Sequence, residues 1–248
     1  MTERDWPGNG SGPPYLLIIG VGFLVAECLL LAGAPALGMT MHGALLLVAM
    51  TQFSVSRKPS RESLVVALLP MTRLVALVIP VDATAPALSY ALVGGPPLIA
   101  TLMVTREVAP EVVRNMLGRP RGIGTQIRLT GLGLPVGLLM LQVATGARLT
   151  VENNPLLGPI VIVVFVVLFE EVLFRGLIQR VTALRSPVLG LFVPNALYAA
   201  MYLGSGSAAT VAAMASVGLI FSFCVMRTNS LWGVIGAHAI GRIIASLG

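Results

Sequence analysis

Two adjacent glutamates, Glu170 and Glu171, follow directly on an apolar run in the stretch PIVIVVFVVLFEEVLFRG. Neighbouring helical residues point about 100° apart, so the two carboxylates need separate partners. Arg175 stands four residues after Glu171, the helical distance for an ion pair, although it could also snorkel to the inner membrane interface. Glu170 is then the free carboxylate, and such a group beside a cavity can act as a general base. A purely structural role fits the spacing equally well.

Other charges also lie within apolar segments. Such charges cost about 2.5–3.5 kcal/mol each on insertion scales, so they face partners or wet cavities. Three carboxylates match three guanidiniums when the imidazole is neutral, which predicts mutual pairing. A structural ion pair is expected between Glu27 and Arg73, whereas His42 is expected to lie at an outer interface without a special role. The full set is Glu27, Arg73, Glu170, Glu171, Arg175, His238 and Arg242.

The composition is that of a membrane protein. The chain of 248 residues is 56% hydrophobic and 10% charged, against about 25% charged residues in soluble domains. It predicts an all-α, polytopic transmembrane bundle of eight or nine helices. In the fourth candidate span, the sequence GGPP at 94–97 predicts a kink or a break. The nine candidate spans are Tyr15–Ala34, His42–Ser56, Ser63–Val81, Pro86–Thr105, Leu129–Ala147, Leu156–Ile178, Pro187–Leu203, Ser207–Met226 and Leu231–Leu247.

The arginines and lysines concentrate in alternate connectors between these spans. Basic connectors mark the cytoplasmic side, so we expect a multi-pass protein of the cell membrane with its N-terminus in the cytoplasm and its C-terminus outside. The connector 106–122 is either a short helix on the anionic inner leaflet or an ordinary loop. The net charge of +6 therefore follows from topology and does not indicate nucleic-acid binding. Cys28 and Cys224 lie in apolar runs and predict neither a disulfide framework nor a zinc site.

Three regions are expected along the chain. Residues 1–14 form a disordered cytoplasmic tail, because they are polar and rich in proline and glycine. Residues 15–147 form an N-terminal region of five transmembrane helices. Residues 148–248 form a core of four transmembrane helices, which contains the acidic pair.

Two stretches of that core resemble a known family. EEVLFRG is similar to the EExxxR motif of the type II CAAX prenyl proteases, also called the CPBP or ABI family of intramembrane proteases. VMRTNSLWGVIGAHAIGR is similar to the family's last motif, in which a helix bears a catalytic His. The resemblance implies a glutamate-dependent or metal-assisted intramembrane peptidase. In it, Glu170 and a His of a middle motif would activate water, Glu171 and Arg175 would brace the site, and His238 and an Asn four residues later would bind a metal or stabilise the oxyanion.

The chain departs from that pattern at two positions. Tyr198 takes the aromatic place of the middle motif, but Tyr202 replaces its His, and Arg242 replaces the final Asn. A neutral phenol is a poor metal ligand and a poor partner for activating water, and a guanidinium cannot bind a metal. We therefore expect a degenerate site in which Arg242 forms a buried pair with Glu170 or Glu171.

Three functions follow as hypotheses. The first is a catalytically impaired homologue that serves as a subunit or binding partner of another membrane protein or a hydrophobic peptide, without a cofactor. The second is an active endopeptidase that cleaves prenylated or membrane-anchored peptides. In it Arg242 would stabilise an oxyanion, and a divalent metal such as zinc would bind at Glu170 and His238. The third is a small-solute transporter.

Overall fold

The computed structural model describes residues 15–55, 61–79, 86–118, 122–143, 157–205 and 207–246. Within these ranges the protein is a bundle of ten helices without a strand, which confirms the all-α prediction. The predicted tail, 1–14, lies outside the described residues. The helices are α1 Tyr15–Leu31, α2 Pro35–Val55, α3 Arg61–Val78, α4 Pro86–Val108, α5 Ile123–Gly131, α6 Gly133–Val143, α7 (residues 157–183), α8 Pro187–Ala200, α9 Ala208–Thr228 and α10 Trp232–Ser246.

Length and composition allow three of the described helices to cross a membrane unaided. They are Pro35–Val55, Leu88–Val108 and Ala208–Thr228. Three shorter apolar helices accompany them, Leu16–Leu31, Pro187–Ala200 and Trp232–Ala245. Each of the nine predicted spans overlaps a helix, and the fifth overlaps two, because the chain turns between α5 and α6 at Leu132.

Helix α7 lies at the centre of the bundle and carries the acidic pair. The side chains of Val172, Leu173, Phe174 and Leu177 are fully buried. The helix alternates between α-helical and π-helical turns, and π-helical turns are frequent at functional sites. The π-helical segments are Ile162–Val167 and Glu171–Ile178, and the α-helical segments are Leu157–Val161, Leu168–Glu170 and Gln179–Ala183.

The predicted break in the fourth span is wrong, because α4 is continuous through Pro96 and Pro97. Prolines are tolerated in membrane helices when neighbouring helices and side chains satisfy the freed backbone groups. The glycines before them serve packing. A Cβ at Gly94 would collide with the carbonyl oxygen of Phe165 on α7, whereas one at Gly95 would make an ordinary contact of 3.7 Å with the Phe165 ring.

Six helix ends meet at one end of the bundle: the starts of α3, α8 and α10, and the ends of α4, α7 and α9. The connectors at this end bear most of the arginines, and we call it the basic end. The turn after α8 lies at the opposite end of the bundle. The contacts that join the basic end are Arg185–Glu62 at 2.7 Å, Arg180–Glu111 at 3.9 Å, the Leu231 amide to the Met116 carbonyl at 3.1 Å, and the Trp232 indole to the Gly118 carbonyl at 2.7 Å.

Candidate functional site

The acidic pair lies where α7, α8 and α10 face one another. Glu171 is completely buried and Glu170 is nearly so. Because the two carboxylates leave α7 in different directions, each has its own set of partners, as the spacing predicts. Helix α10 supplies His238 and Arg242, four residues apart and therefore on one face. Helix α8 and the turn after it supply two tyrosines.

Arg242 is bonded to Glu170, as expected. Its Nη2 lies 3.2 Å from Oε1 and 3.3 Å from Oε2 of Glu170, so one nitrogen bridges both carboxylate oxygens. The same Nη2 donates to the Tyr202 hydroxyl. The Nε of Arg242 donates to Nε2 of His238 at 3.2 Å. A single guanidinium thus contacts three of the residues to which the family resemblance assigns chemistry.

Two tyrosine hydroxyls complete the surroundings of Glu170. Tyr198 donates to Oε2 at 3.2 Å and Tyr202 donates to Oε1 at 3.4 Å. A carboxylate offers about four lone-pair directions. Three donor atoms face these directions, Nη2 of Arg242 and the two tyrosine hydroxyls, and they reach both oxygens, so Glu170 is held in a cage of hydrogen-bond donors.

Tyr198 is a site residue whose contact with Glu170 the sequence does not predict, because it is identified only as the aromatic position of the middle motif. Its side chain is fully buried, and its hydroxyl lies 3.4 Å from that of Tyr202. The spacing of the two tyrosines, four residues apart at the end of one helix, is the signal that could have indicated a shared partner.

His238 lies between the two carboxylates and makes its shorter contact with Glu171, since its Nε2 is 3.5 Å from Oε2 of Glu170. Its Nδ1 lies 2.7 Å from Oε1 of Glu171. Since the Nε–H of Arg242 can only donate, Nε2 of His238 must accept, and the proton of the neutral ring sits on Nδ1 and is donated to Glu171. The Nε2 lone pair, which a metal or a water would need, is therefore directed at Arg242.

Arg175 does not extend to the membrane interface, and that alternative is wrong. The residue is only 1% exposed, and its Nη1 donates to Oε1 of Glu171 at 3.3 Å. Its guanidinium carbon lies 4.4 Å from the centre of the Tyr198 ring and 5.9 Å from that of Phe221. The aromatic faces stabilise a cation that has few hydrogen-bond partners.

The charges of this site balance. Two glutamates face two arginines, and His238 is neutral. Removal of water from a charged group costs several kcal/mol, and only close opposite charges offset it. Arg242 therefore supplies the positive charge without which one buried carboxylate would stand unmatched.

A second buried charge cluster lies among α1, α2 and α3. The Glu27–Arg73 pair predicted from sequence is present, with Nε–Oε1 at 2.6 Å and Nη2–Oε2 at 2.9 Å. The expectation that His42 has no special role is wrong. It is fully buried, and its Nε2 lies 3.1 Å from Oε1 of Glu27. Arg73 also comes near Gly204, where a Cβ would lie 3.6 Å from Nη2, so this cluster reaches the turn that follows Tyr202.

The donor set at Glu170 does not fit a resident metal ion. Among the described residues, no group of three or more His, Cys, Asp or Glu side chains is arranged to hold one. The two candidate ligands, Glu170 and Nε2 of His238, are both bonded by Arg242. A divalent cation there would stand against a guanidinium, and like charges at that distance repel strongly.

The site thus joins a buried carboxylate pair, two arginines and a histidine within a bundle of apolar helices. Comparison with family models gives one match. Residues 152–244 match the model Rce1-like, described as type II CAAX prenyl endopeptidase Rce1-like. The match confirms the family resemblance of the C-terminal part of the chain and supports a CAAX-protease-type integral membrane protein. No curated protein and no solved structure matches the chain.

Proposed function

We propose that this protein is a catalytically impaired member of the CAAX-protease type that serves as a subunit or binding partner of another membrane protein or of a hydrophobic peptide. The observation that carries the proposal is the position of Arg242. A general base needs a free lone pair within hydrogen-bond reach of the water that it activates. Hydrogen bonds from Arg242, Tyr198 and Tyr202 reach both oxygens of Glu170 and compete with a water for their lone pairs.

The second candidate is a peptidase with a rewired site. Two features favour it. His238 keeps a bond of 2.7 Å to Glu171, which would hold its ring in place. Arg242 uses only Nε and Nη2 in its bonds with described residues, and its side chain is 25% exposed, so Nη1 is available to a developing oxyanion. This candidate needs Glu170 to leave its cage before it can act on water.

Reconstituted protein decides between these candidates. The chain in liposomes is incubated with a prenylated peptide and with a membrane-anchored peptide, beside E170Q and the double variant Y202H/R242N. We expect no Glu170-dependent cleavage by the natural protein. The double variant restores the residue types of the family motifs and removes the competing cation, so it is the form in which cleavage would return. Cleavage by the natural protein that E170Q abolishes would establish the second candidate instead. Solute uptake by the same liposomes would indicate a transporter.

The binding role has a structural counterpart in an apolar groove. Residues of the first turns of α7 and Ile243 of α10 line a groove of about 300 Å³ without polar surface. It accepts a hydrophobic segment rather than a polar ligand, which fits a transmembrane or lipid-modified partner. The lining residues are Pro159, Ile160, Val163, Val164 and Ile243.

Filling the groove tests this part of the proposal. The substitution Ile160→Trp places a large ring in it, whereas Leu47→Trp adds the same ring to the exposed face of α2, where Leu47 is 69% exposed. We expect a partner that copurifies at constant stoichiometry in mild detergent to be lost from the first variant and retained by the second. Retention by both variants would place the partner elsewhere.

The topology also remains a proposal. The basic end would face the cytoplasm, because connectors rich in arginine stay on that side of a cell membrane. The N-terminus would then be cytoplasmic and the C-terminus external, in the plasma membrane. Labelling of a cysteine placed at either terminus with a membrane-impermeant reagent in intact cells gives the orientation.

A further inference from the structure

We propose that the basic end is a docking surface for anionic phospholipid headgroups, formed by Arg114, Arg128 and Arg227 around Trp232. The inference goes beyond the proposed function, since it concerns a different end of the molecule and a different ligand. It rests on the charge, the apolar neighbours and the mutual attachment of these residues.

Among the described residues, the three arginines have no acidic partner. All three are exposed, and none has a carboxylate of a described residue within ion-pair distance. Other arginines at the same end differ from them. Arg180 is paired with Glu111 and Arg185 with Glu62, at 3.9 Å and 2.7 Å. The surface therefore carries an excess of positive charge at defined positions, and phosphate groups are the complementary ligand.

Each of these arginines stands beside an exposed apolar side chain. Val113 precedes Arg114, Ile127 precedes Arg128, and their side chains are 40% and 65% exposed. The Arg227 guanidinium carbon lies 5.0 Å from the centre of the Phe223 ring, which is also exposed.

Such a pairing suits a membrane interface. The apolar side chain enters the acyl region while the guanidinium meets the headgroup phosphate. Polyanions in water, such as nucleic acids, would gain nothing from the exposed aliphatic side chains. The pattern therefore favours a phospholipid.

Hydrogen bonds attach two of the arginine-bearing segments to the start of α10, and the chain itself joins the third to it. The Leu231 amide donates to the Met116 carbonyl at 3.1 Å, two residues after Arg114. The Gly233 amide donates to Oε1 of Gln126 at 2.8 Å, two residues before Arg128. Arg227 lies in the last turn of α9, four residues before Leu231.

Trp232 marks the middle of this surface. Its indole Nε1 donates to the Gly118 carbonyl at 2.7 Å, and the ring is 41% exposed. Tryptophan prefers the interface of a bilayer. Because α10 also bears His238 and Arg242, a bound lipid would fix the helix that closes the acidic site.

Trp232 offers a direct reporter. The chain has two tryptophans, Trp6 and Trp232, so the variant W6F leaves only the reporter at the proposed surface. This variant is reconstituted in vesicles that contain brominated phosphatidylglycerol or brominated phosphatidylcholine, and quenching of fluorescence is compared at equal mole fractions. We expect a preference for the anionic lipid of at least about fivefold, the contribution of one interfacial arginine. Equal quenching by the two lipids overturns the proposal.

Two sets of three substitutions in the W6F background locate the preference. R114Q/R128Q/R227Q removes the proposed ligands, and we expect the preference to disappear. R106Q/R180Q/R185Q removes the same amount of charge from the same end. Of these arginines, Arg180 and Arg185 are ion-paired and Arg106 is adjacent to Glu107. We expect the preference for the anionic lipid to remain in this variant. Equal loss in both sets would show diffuse attraction and overturn the assignment to this surface.

Two further measurements use the W6F protein alone, so they test the proposed lipid surface even if a triple variant does not fold. Raising the salt concentration to about 1 M shortens the screening length to about 3 Å, so the preference must fall. A preference that salt leaves unchanged contradicts the proposal. Excess inorganic phosphate must leave the preference in place at matched ionic strength, and its loss there would show a site for free phosphate instead of a lipid surface.

Discussion

Nε of Arg242 lies 3.2 Å from Nε2 of His238, one helical turn earlier on α10. The contact fixes the roles of both residues. It directs the only basic lone pair of the imidazole toward a permanent cation, and it holds the guanidinium where its Nη2 also reaches Glu170. Two residues that the proposed hydrolytic chemistry would need free thus share one arginine.

The tyrosine hydroxyls should contribute to stability through Glu170. Tyr198→Phe removes a buried donor at 3.2 Å from Oε2, so we expect a loss of about 1 kcal/mol in the free energy of unfolding. Tyr90→Phe on α4 is the control, since no contact of its hydroxyl is seen among the described residues. Denaturant titration in detergent micelles measures both. A loss as large in the control would mean that the hydroxyl bond to Glu170 contributes nothing.

Arg175 should not be replaceable by lysine. Its planar guanidinium lies over the Tyr198 ring at 4.4 Å while Nη1 reaches Glu171, and an ammonium cannot make both contacts. We expect Arg175→Lys to destabilise the protein by about 2 kcal/mol. Arg185→Lys, in the more exposed pair with Glu62, should cost less than about 1 kcal/mol. Thermal unfolding of the two variants gives the comparison, and equal midpoints would contradict the stacking role.

The close approach of α4 to α7 should discriminate between adjacent glycines. Gly94→Ala forces a methyl group against the Phe165 carbonyl, and we expect a cost of about 1–3 kcal/mol. Gly95→Ala meets only the Phe165 ring at 3.7 Å, so the gain in helix propensity, about 1 kcal/mol, should leave it neutral or stabilised. The stability difference between the two variants is the measurement. Two equally tolerated substitutions would show that the helices are not packed through Gly94.

Chelation of metals should leave the thermal stability of the natural protein unchanged. Because Arg242 engages both Glu170 and His238, we expect the thermal midpoint to be the same with and without a chelator. In Y202H/R242N the guanidinium is gone and a second imidazole is added, so zinc should raise the midpoint. A midpoint of the natural protein that falls on chelation would mean that a metal contributes to its fold.

The ion pairs can be predicted from the sequence more reliably than the local geometry around them. The balance of three carboxylates and three guanidiniums is visible in the composition of the spans. The sequence predicts the pair Glu27–Arg73 and a pair of Arg242 with Glu170 or Glu171, and the structure contains Glu27–Arg73 and Glu170–Arg242. Charge pairing is visible because a buried charge without a partner is so unfavourable.

Other features depend on contacts between segments that no local pattern reports. His42 is buried because it is bonded to Glu27, which is also bonded to Arg73. Arg175 stays inside because the rings of Tyr198 and Phe221 cover it. The glycines of α4 predict a break when considered alone, yet they serve as a close contact with α7. In each case the deciding partner is distant in the chain.

A double-mutant cycle on Glu170 and Arg242 tests the closed acidic site most directly. E170Q, R242M and E170Q/R242M keep nearly the same volumes, and the free energy of unfolding is measured for each in the same micelles. R242M alone leaves a buried carboxylate unmatched, so we expect it to cost about 3 kcal/mol. The double variant should recover much of that loss, with a coupling energy of about 1.5–3 kcal/mol. Additive single effects, with a coupling near zero, would contradict the pairing that closes the site.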